Sequence, residues 1–346
     1  MSDLTTAAAT RERNASPGLR FLLGPLPRYV LRRLSQAVLV MLLVVVGSFV
    51  LIKMAPGDLV DVLAGNADMT ADQMAALRAR YGLDQPVWLQ LLRYMYSLAT
   101  LDFGYSPLNA APVLDIILAR WPVTALLVAS SVLISMTVGT VLGVVAARNA
   151  GNPLDLSISL LMLLFYATPT FIIAIGFILV FSVFLGMMPI AGFSTVGADY
   201  TGLRYVWDVV THLTMPVLAL CTFFIAIYGR IGRAAMLEVL TLDYVRTARA
   251  KGLSERRVIY VHALRNAMLP LVTMAGLQVS SLVGGAVLIE TIFGLPGMGR
   301  TAFDAVFERD TNLLLGVVFI SSLSVVVVNF VIDILYMALD PRVELA

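Results

Sequence analysis

Charge is what this sequence has least of. Only 13% of its 346 residues are Asp, Glu, Lys or Arg, whereas 59% are hydrophobic, and the mean hydropathy is +0.89. A soluble domain needs roughly 25% charged residues to face water, so a water-soluble globular fold is excluded. Cysteine and histidine are equally scarce. A lone Cys221 cannot close an intrachain disulfide or build a thiolate metal centre, and His212 and His262 fall short of a zinc cage. Redox and metal chemistry therefore find little material here.

What the chain does contain is long uncharged runs. Residues 34–52, 121–147, 209–229, 266–289 and 311–332 carry no ionisable Asp, Glu, Lys or Arg, and neither does the stretch 156–198. A helix needs about 20 residues to cross a hydrocarbon layer of about 30 Å, so each run is a candidate span. The 43-residue stretch 156–198 could hold one crossing or two. Charge bias favours one, ending near 185, which gives an all-α integral membrane protein with six spans at about 34–54, 121–147, 156–185, 209–229, 268–290 and 311–335. The segments then assigned to the inner side hold 16 basic and 7 acidic residues, and those assigned outside hold 7 basic and 12 acidic. Positive charge inside is the expected orientation, which makes both termini cytoplasmic.

Residues 1–18, rich in Ala, Thr and Ser, read as a disordered cytoplasmic tail without a signal peptide's cleavage site. Residues 19–33 mix apolar side chains with Arg28, Arg32 and Arg33 and read as an interfacial elbow against membrane lipid. In the outer segment 55–120, Thr70 and Gln73 form a capping box for a helix over 71–81 that Gly82 stops. A second helix runs from Pro86 to 98. Glycine and proline within the spans serve close packing, with a kink open at Pro169 or Pro216.

The loop 229–268 holds 8 basic residues, more than any other loop. Its first half reads as a helix over Ala234–Lys251, with Met236, Leu240, Tyr244 and Ala248 on one face. Gly252 suits a left-handed stop, Ser254 an N-cap with Glu255 behind it, and a second helix should end before Pro270. The run Asp243-Tyr244-Val245-Arg246-Thr247-Ala248-Arg249-Ala250-Lys251-Gly252-Leu253-Ser254, continuing through His262 and Arg265 to Pro270, resembles the cytoplasmic EAA loop of binding-protein-dependent ABC transporter permeases. Arg246-Thr247-Ala248 stands at the Glu-Ala-Ala positions, His262 at the Ile position and Arg265 at the Pro position. Gly252 keeps its place. These departures match the dipeptide/oligopeptide/nickel branch and its B-type subunit, whose proline comes later. Ala55-Pro56-Gly57-Asp58, Tyr81 to Pro86, Ile289 to Phe293, Leu295 to Arg300 and Asp340-Pro341-Arg342 resemble the same branch in the same order.

The resemblance implies a type I importer permease fold and no catalytic residues. ATP and Mg would sit on two separate ATP-binding subunits, beside a homologous second permease subunit and an extracytoplasmic solute-binding protein, with no nucleic acid involved. Tyr244, Ala248, Gly252, Leu253, Ser254, Glu255, Arg256 and Arg257 are the implied coupling residues. Peptides are the implied cargo, with nickel chelates, glutathione or another small solute as alternatives. Gly294 to Thr301 nearly spells a phosphate-binding loop, but Arg300 replaces its lysine and the segment follows a membrane span, so it reads as a turn. An ion-coupled transporter would need ionisable groups within its spans. Asp155, Glu290, Lys53 and Asp333 all fall near span ends.

Overall fold

The computed structural model describes residues 25–54, 60–61, 64 and 69–339. The expected tail, Ala55-Pro56-Gly57-Asp58 and Asp340-Pro341-Arg342 lie outside them. Among the described residues the regular secondary structure is helical apart from a small hairpin, with an irregular segment over 185–201. Helix α1 (Pro25–Met54) is followed by α2 (Ala71–Tyr81) and α3 (Val87–Ala99), then by strands β1 (Tyr105–Ser106) and β2 (Ala111–Pro112). Next come α4 (Val113–Arg148), α5 (Pro153–Ala167), α6 (Thr170–Phe177) with a π-helical extension (Ile178–Phe184), and the 39-residue α7 (Gly202–Leu240). The remainder comprises α8 (Asp243–Ala250), α9 (Glu255–Arg257), a π turn (Val258–Ala263), α10 (Leu264–Ile292), α11 (Met298–Phe307) and α12 (Thr311–Leu339). Five helices are long and apolar enough to cross a membrane, or six with the α5–α6 pair counted as one. The protein is a multi-pass, all-α membrane protein.

Several helices outrun the expected spans. Helix α1 starts at Pro25, so the described part of the elbow is continuous with the first span. Pro25 and Pro27 sit in the first turn, where a missing amide leaves no bond unmade. Helix α4 begins eight residues before Trp121, and α7 continues eleven beyond Gly229. The run at 156–185 is not one straight crossing, because α5 and its α6 partner bend by 100° between them. Thr168 is extended there (φ −86°, ψ 123°), as the ring of Pro169 requires of its predecessor, and its hydroxyl donates to the Leu164 carbonyl at 2.8 Å. Pro216 interrupts nothing in α7. The outer helices fall where the caps place them. Thr70 and Gln73 form the reciprocal capping box, Gly82 ends α2 at φ +66°, and Pro86 serves as N-cap instead of first helical residue.

Helix α7 forms the centre of the molecule, packed on α4, α5 and α10. Its tightest contact is a glycine seam. Ser131, Ser135, Gly139, Gly143 and Ala147 recur every four residues on α4 and are all buried. A Cβ on Gly139 would lie 2.6 Å from the Tyr228 Cβ and 2.8 Å from the Ile225 carbonyl, and one on Gly143 would lie 2.6 Å from the Gly229 carbonyl. Small residues at this spacing let two backbones approach where lipid offers no hydrophobic drive to pack. Helix α5 runs antiparallel along α7: Met162 packs with Ala226, Tyr166 stacks on Phe223 at 5.3 Å, and Asp155 accepts two 2.7 Å bonds from Arg233. Asp155 is therefore committed to a charge pair that fastens α5 to α7.

Gly143→Leu should destabilise the fold by about 3 kcal/mol through overpacking, seen as a fall of several degrees in the melting temperature of the detergent-solubilised protein. Gly176→Leu, whose Cβ would meet nothing within 4 Å, should melt like wild type. Equal losses in both variants would remove the seam from the account.

Candidate functional site

The segment 241–266 closes one end of the bundle, where α4 ends and α10 begins; the hairpin marks the opposite end. Its start is set by a break the sequence reading missed. Helix α7 stops at Leu240, the Thr241 hydroxyl donates to the Glu238 carbonyl at 2.7 Å, and Leu242 is extended (ψ 149°) before α8 begins. The single helix expected over Ala234–Lys251 is thus two, and Tyr244 is turned off the face shared by Met236 and Ala248. Its hydroxyl accepts a 2.6 Å bond from the Asn266 amide instead. Val245 takes the buried position. With Ala248, Val258, Ile259 and Ala263 it packs against Val144 and Ala147 of α4 and Met236 and Val239 of α7. The three-residue spacing of Val245 and Ala248 was present in the sequence, but a period counted from Met236 hid it.

Gly252 adopts φ +75° with nothing crowding it. Its amide donates to the Arg249 carbonyl at 2.9 Å, and the Leu253 amide reaches the Ala248 carbonyl at 3.4 Å. This paired pattern is the Schellman stop, which needs a left-handed residue that only glycine adopts without strain. Arg249 then bridges the turn to Glu255 at 2.7 Å. Both side chains are about half exposed, so the pair fixes direction more than it stabilises. Ser254 occupies the N-cap position without making a side-chain capping bond, contrary to the expected hydroxyl cap. Ser254, Arg256 and Arg257, joined by Tyr260 and Val261, line a shallow depression of about 480 Å³. His262 sits half-buried on the π turn.

The second helix does not end before Pro270. From Glu255 the chain stays helical through the π turn and Pro270 to Ile292. Proline deprives the Asn266 carbonyl of its donor, but Asn266 is exposed, so the loss is not sealed in hydrocarbon. The loop therefore continues directly into α10.

At the far end of α10 lies a second constellation. Glu290 is fully buried. Its carboxylate accepts from the Thr124 hydroxyl at 2.5 Å and from the Arg300 amide at 2.9 Å, while Thr124 accepts from the Met298 amide at 2.8 Å. These groups cap the N-terminus of α11, where free amides and the helix dipole attract an anion. In the near match to a phosphate-binding loop, that place is filled by the chain's own carboxylate. Gly297 is obligatory here, since a Cβ would collide with the Glu290 carboxyl group, and one on Gly299 would lie 2.8 Å from the Val287 Cα. Asp310 is similarly buried, accepting from the Ser106 hydroxyl and from the Leu313 amide at 3.1 Å. The Asp333 side chain lies outside the described residues.

Residues 139–345 match the family model described as binding-protein-dependent transport system inner membrane component, and residues 26–128 match the model for the N-terminal part of such components. The chain belongs to this family. Among curated relatives it is 36% identical to the oligopeptide transport system permease protein AppB of Bacillus subtilis, over 91% of this chain and 99% of that one. It is 36% identical to the dipeptide transport system permease protein DppB of Escherichia coli (92% and 98% covered). Against the di/tripeptide transport system permease protein DppB of Pseudomonas aeruginosa the identity is 38% (91% and 98% covered). These relatives place the permease in the dipeptide/oligopeptide branch that its motifs resemble. A solved structure of the MetNI methionine ABC transporter, inward facing, superposes with a TM-score of 0.54 at 17% identity, covering 66% of this chain and 97% of that one. At that identity it shows the fold alone.

The Glu290 constellation makes a double-mutant cycle informative. Glu290→Ala should cost about 2–4 kcal/mol by leaving buried donors unmatched, and Gly297→Ala should cost a similar amount by collision. Their combination should cost clearly less than the sum, because the first removes the atoms the second strikes. Strict additivity in thermal melts would contradict the contact.

Proposed function

We propose that this chain is one of two permease subunits of an ATP-driven importer that moves peptides across the cytoplasmic membrane of a bacterium. The observation that carries the reading is the continuous helix from Glu255 to Ile292, fused at a glycine stop to an exposed basic surface at one end of an all-helical membrane bundle. Three relatives aligned over nine-tenths of the chain, each named as a permease of a peptide transport system, supply the cargo class.

In this reading the end bearing Ser254, Arg256 and Arg257 faces the cytoplasm, together with both termini. That orientation keeps the 16 basic residues of the inner segments on the positive-inside side. Two ATP-binding subunits, carrying ATP and Mg, grip the depression between Arg256, Arg257 and Tyr260. The hairpin end, with α2 and α3, receives cargo from a solute-binding protein. When the ATPase pair closes, it pushes on α9. Because α9 continues without interruption into α10, and because Val245 and Ala248 hold α8 against α4 and α7, the push moves spans as rigid bodies instead of bending the loop. Gly252 sets the angle of the grip, Leu253 seals the stop, and the Arg249–Glu255 pair keeps α8 and α9 in register.

The test is uptake by the reconstituted complex. Wild type should accumulate a labelled dipeptide only with ATP and the solute-binding protein present. Gly252→Pro removes the amide bonded to Arg249 and forbids φ +75°. It should leave the complex assembled and hydrolysing ATP while uptake falls at least tenfold; wild-type uptake in this variant would overturn the coupling role. A single cysteine at position 256, in a Cys221→Ser background, should react with an impermeant thiol reagent only from the cytoplasmic side. Labelling from the outside would reverse the orientation.

A further inference from the structure

A small pocket at the hairpin end lies apart from the coupling surface and is lined by charges of both signs. It measures about 210 Å³ and is walled by α4, α11, the start of α12 and the hairpin. At about 30 Å³ of liquid per water molecule, that is room for one compact polar group. Arg120, Arg300, Asp304 and Glu308 line it, with Ile116 and Leu313 as apolar wall and Asn109 of the hairpin beside them. Leu313 is buried, Ile116, Arg120 and Arg300 are half-buried, and Asn109, Asp304 and Glu308 are exposed. The arginines therefore sit further in than the carboxylates.

The level of the pocket follows from the sequence. Arg120 immediately precedes the uncharged run 121–147, and Leu313 lies near the start of the run 311–332, so the pocket sits where the apolar body gives way to polar segments. Helical side chains lean toward their own N-terminus, which carries the Arg120 head toward the hairpin and out of hydrocarbon. Its charges are incompletely matched. Arg300 Nε stands 3.7 Å from the Asp304 carboxylate, beyond hydrogen-bond range, and Arg120 forms no ion pair among the described residues. The backbone beside the pocket is also strained: Ala110, next to Asn109, and Arg309, next to Glu308, adopt φ +51° and +53°. That conformation costs any residue with a Cβ, and it persists where the surroundings hold a functional shape.

We infer that this pocket binds the headgroup of phosphatidylethanolamine from the leaflet on the hairpin side, with Arg120 and Arg300 on the phosphate and Asp304 and Glu308 on the ammonium. Guanidinium forks match phosphate oxygens, and the carboxylates at the mouth accept from a primary ammonium while repelling a headgroup of net negative charge. A charged pocket between helices at this level is a place where headgroups are recognised. The bound lipid ties the hairpin, α4 and α11 together beside the Glu290 cap. This site requires the membrane-spanning fold alone and is independent of the cargo and of the coupling role.

The whole complex, delipidated in detergent, is titrated with phosphatidylethanolamine or phosphatidylglycerol of identical acyl chains and followed by native mass spectrometry. Lipid sites elsewhere are common to all variants, so the difference between wild type and variant reports the pocket. Arg120→Gln should weaken the tightest phosphatidylethanolamine step at least tenfold, with phosphatidylglycerol binding little changed, and Arg120→Lys should recover part of the loss. The rise in melting temperature that phosphatidylethanolamine gives wild type should disappear in Arg120→Gln. Asp304→Asn combined with Glu308→Gln should bring the preference for phosphatidylethanolamine over phosphatidylglycerol to within twofold. Equal phosphatidylethanolamine binding by wild type and Arg120→Gln, or a wild-type preference for phosphatidylglycerol, overturns the inference. So does weakened docking of the solute-binding protein in Arg120→Gln with lipid binding intact, which assigns the pocket to a protein side chain. Should Arg120→Gln fail to assemble, the exposed Asp304 and Glu308 pair decides, and an unchanged lipid preference in that double variant overturns the site.

Discussion

A single helical rod, Glu255 to Ile292, about 57 Å long at 1.5 Å per residue, joins the two ends of this protein, and most of the remaining structure serves to hold it at its extremities. At one end the Gly252 stop and the Arg249–Glu255 pair fix how the chain enters the rod. At the other, Glu290 on the last turn gathers Thr124 of α4 and the first amides of α11. A displacement applied to α9 therefore reaches the hairpin end through covalent helix, with no side-chain relay between.

The second constraint is that an ionised group inside so apolar a chain must be matched. Asp155 and Arg233 match each other and Glu290 matches a helix amide and a hydroxyl, so these three fasten helices together, while Asp310 ties the hairpin's Ser106 to the start of α12. The few buried ionisable groups, each with partners, thus build the frame. The exposed basic groups Arg256 and Arg257 lie beyond the apolar body, where contact with a partner costs least desolvation.

Much of this was legible in the sequence because the relevant signals are local. Uncharged runs announced the spans, Thr70 and Gln73 announced a helix start, and Gly252 announced its left-handed turn. What stayed hidden depended on contacts between distant segments. The extension of α7 to Leu240 is fixed by Arg233 meeting Asp155 78 residues earlier, and the buried position of Val245 by Val144 and Ala147 on α4. Pro270 suggested a helix end because proline ends helices in water-exposed contexts, whereas a chain entering hydrocarbon keeps its remaining backbone bonds by continuing. Glu290 read as an ordinary span-end acid, since nothing nearby in sequence indicates that Thr124 would meet it. The bend at Pro169 was an open alternative, settled by the extended backbone that proline imposes on Thr168.

The claim on which the account stands is that the rod moves as one piece. Paired spin labels at positions 256 and 288, in the assembled complex, report its length directly with and without trapped ATP. A rigid rod gives one narrow distance distribution, unchanged between the two states in preparations that transport. A shift of more than about 5 Å, the rise of one helical turn, would show that the rod breaks at the π turn or at Pro270, and would contradict the account.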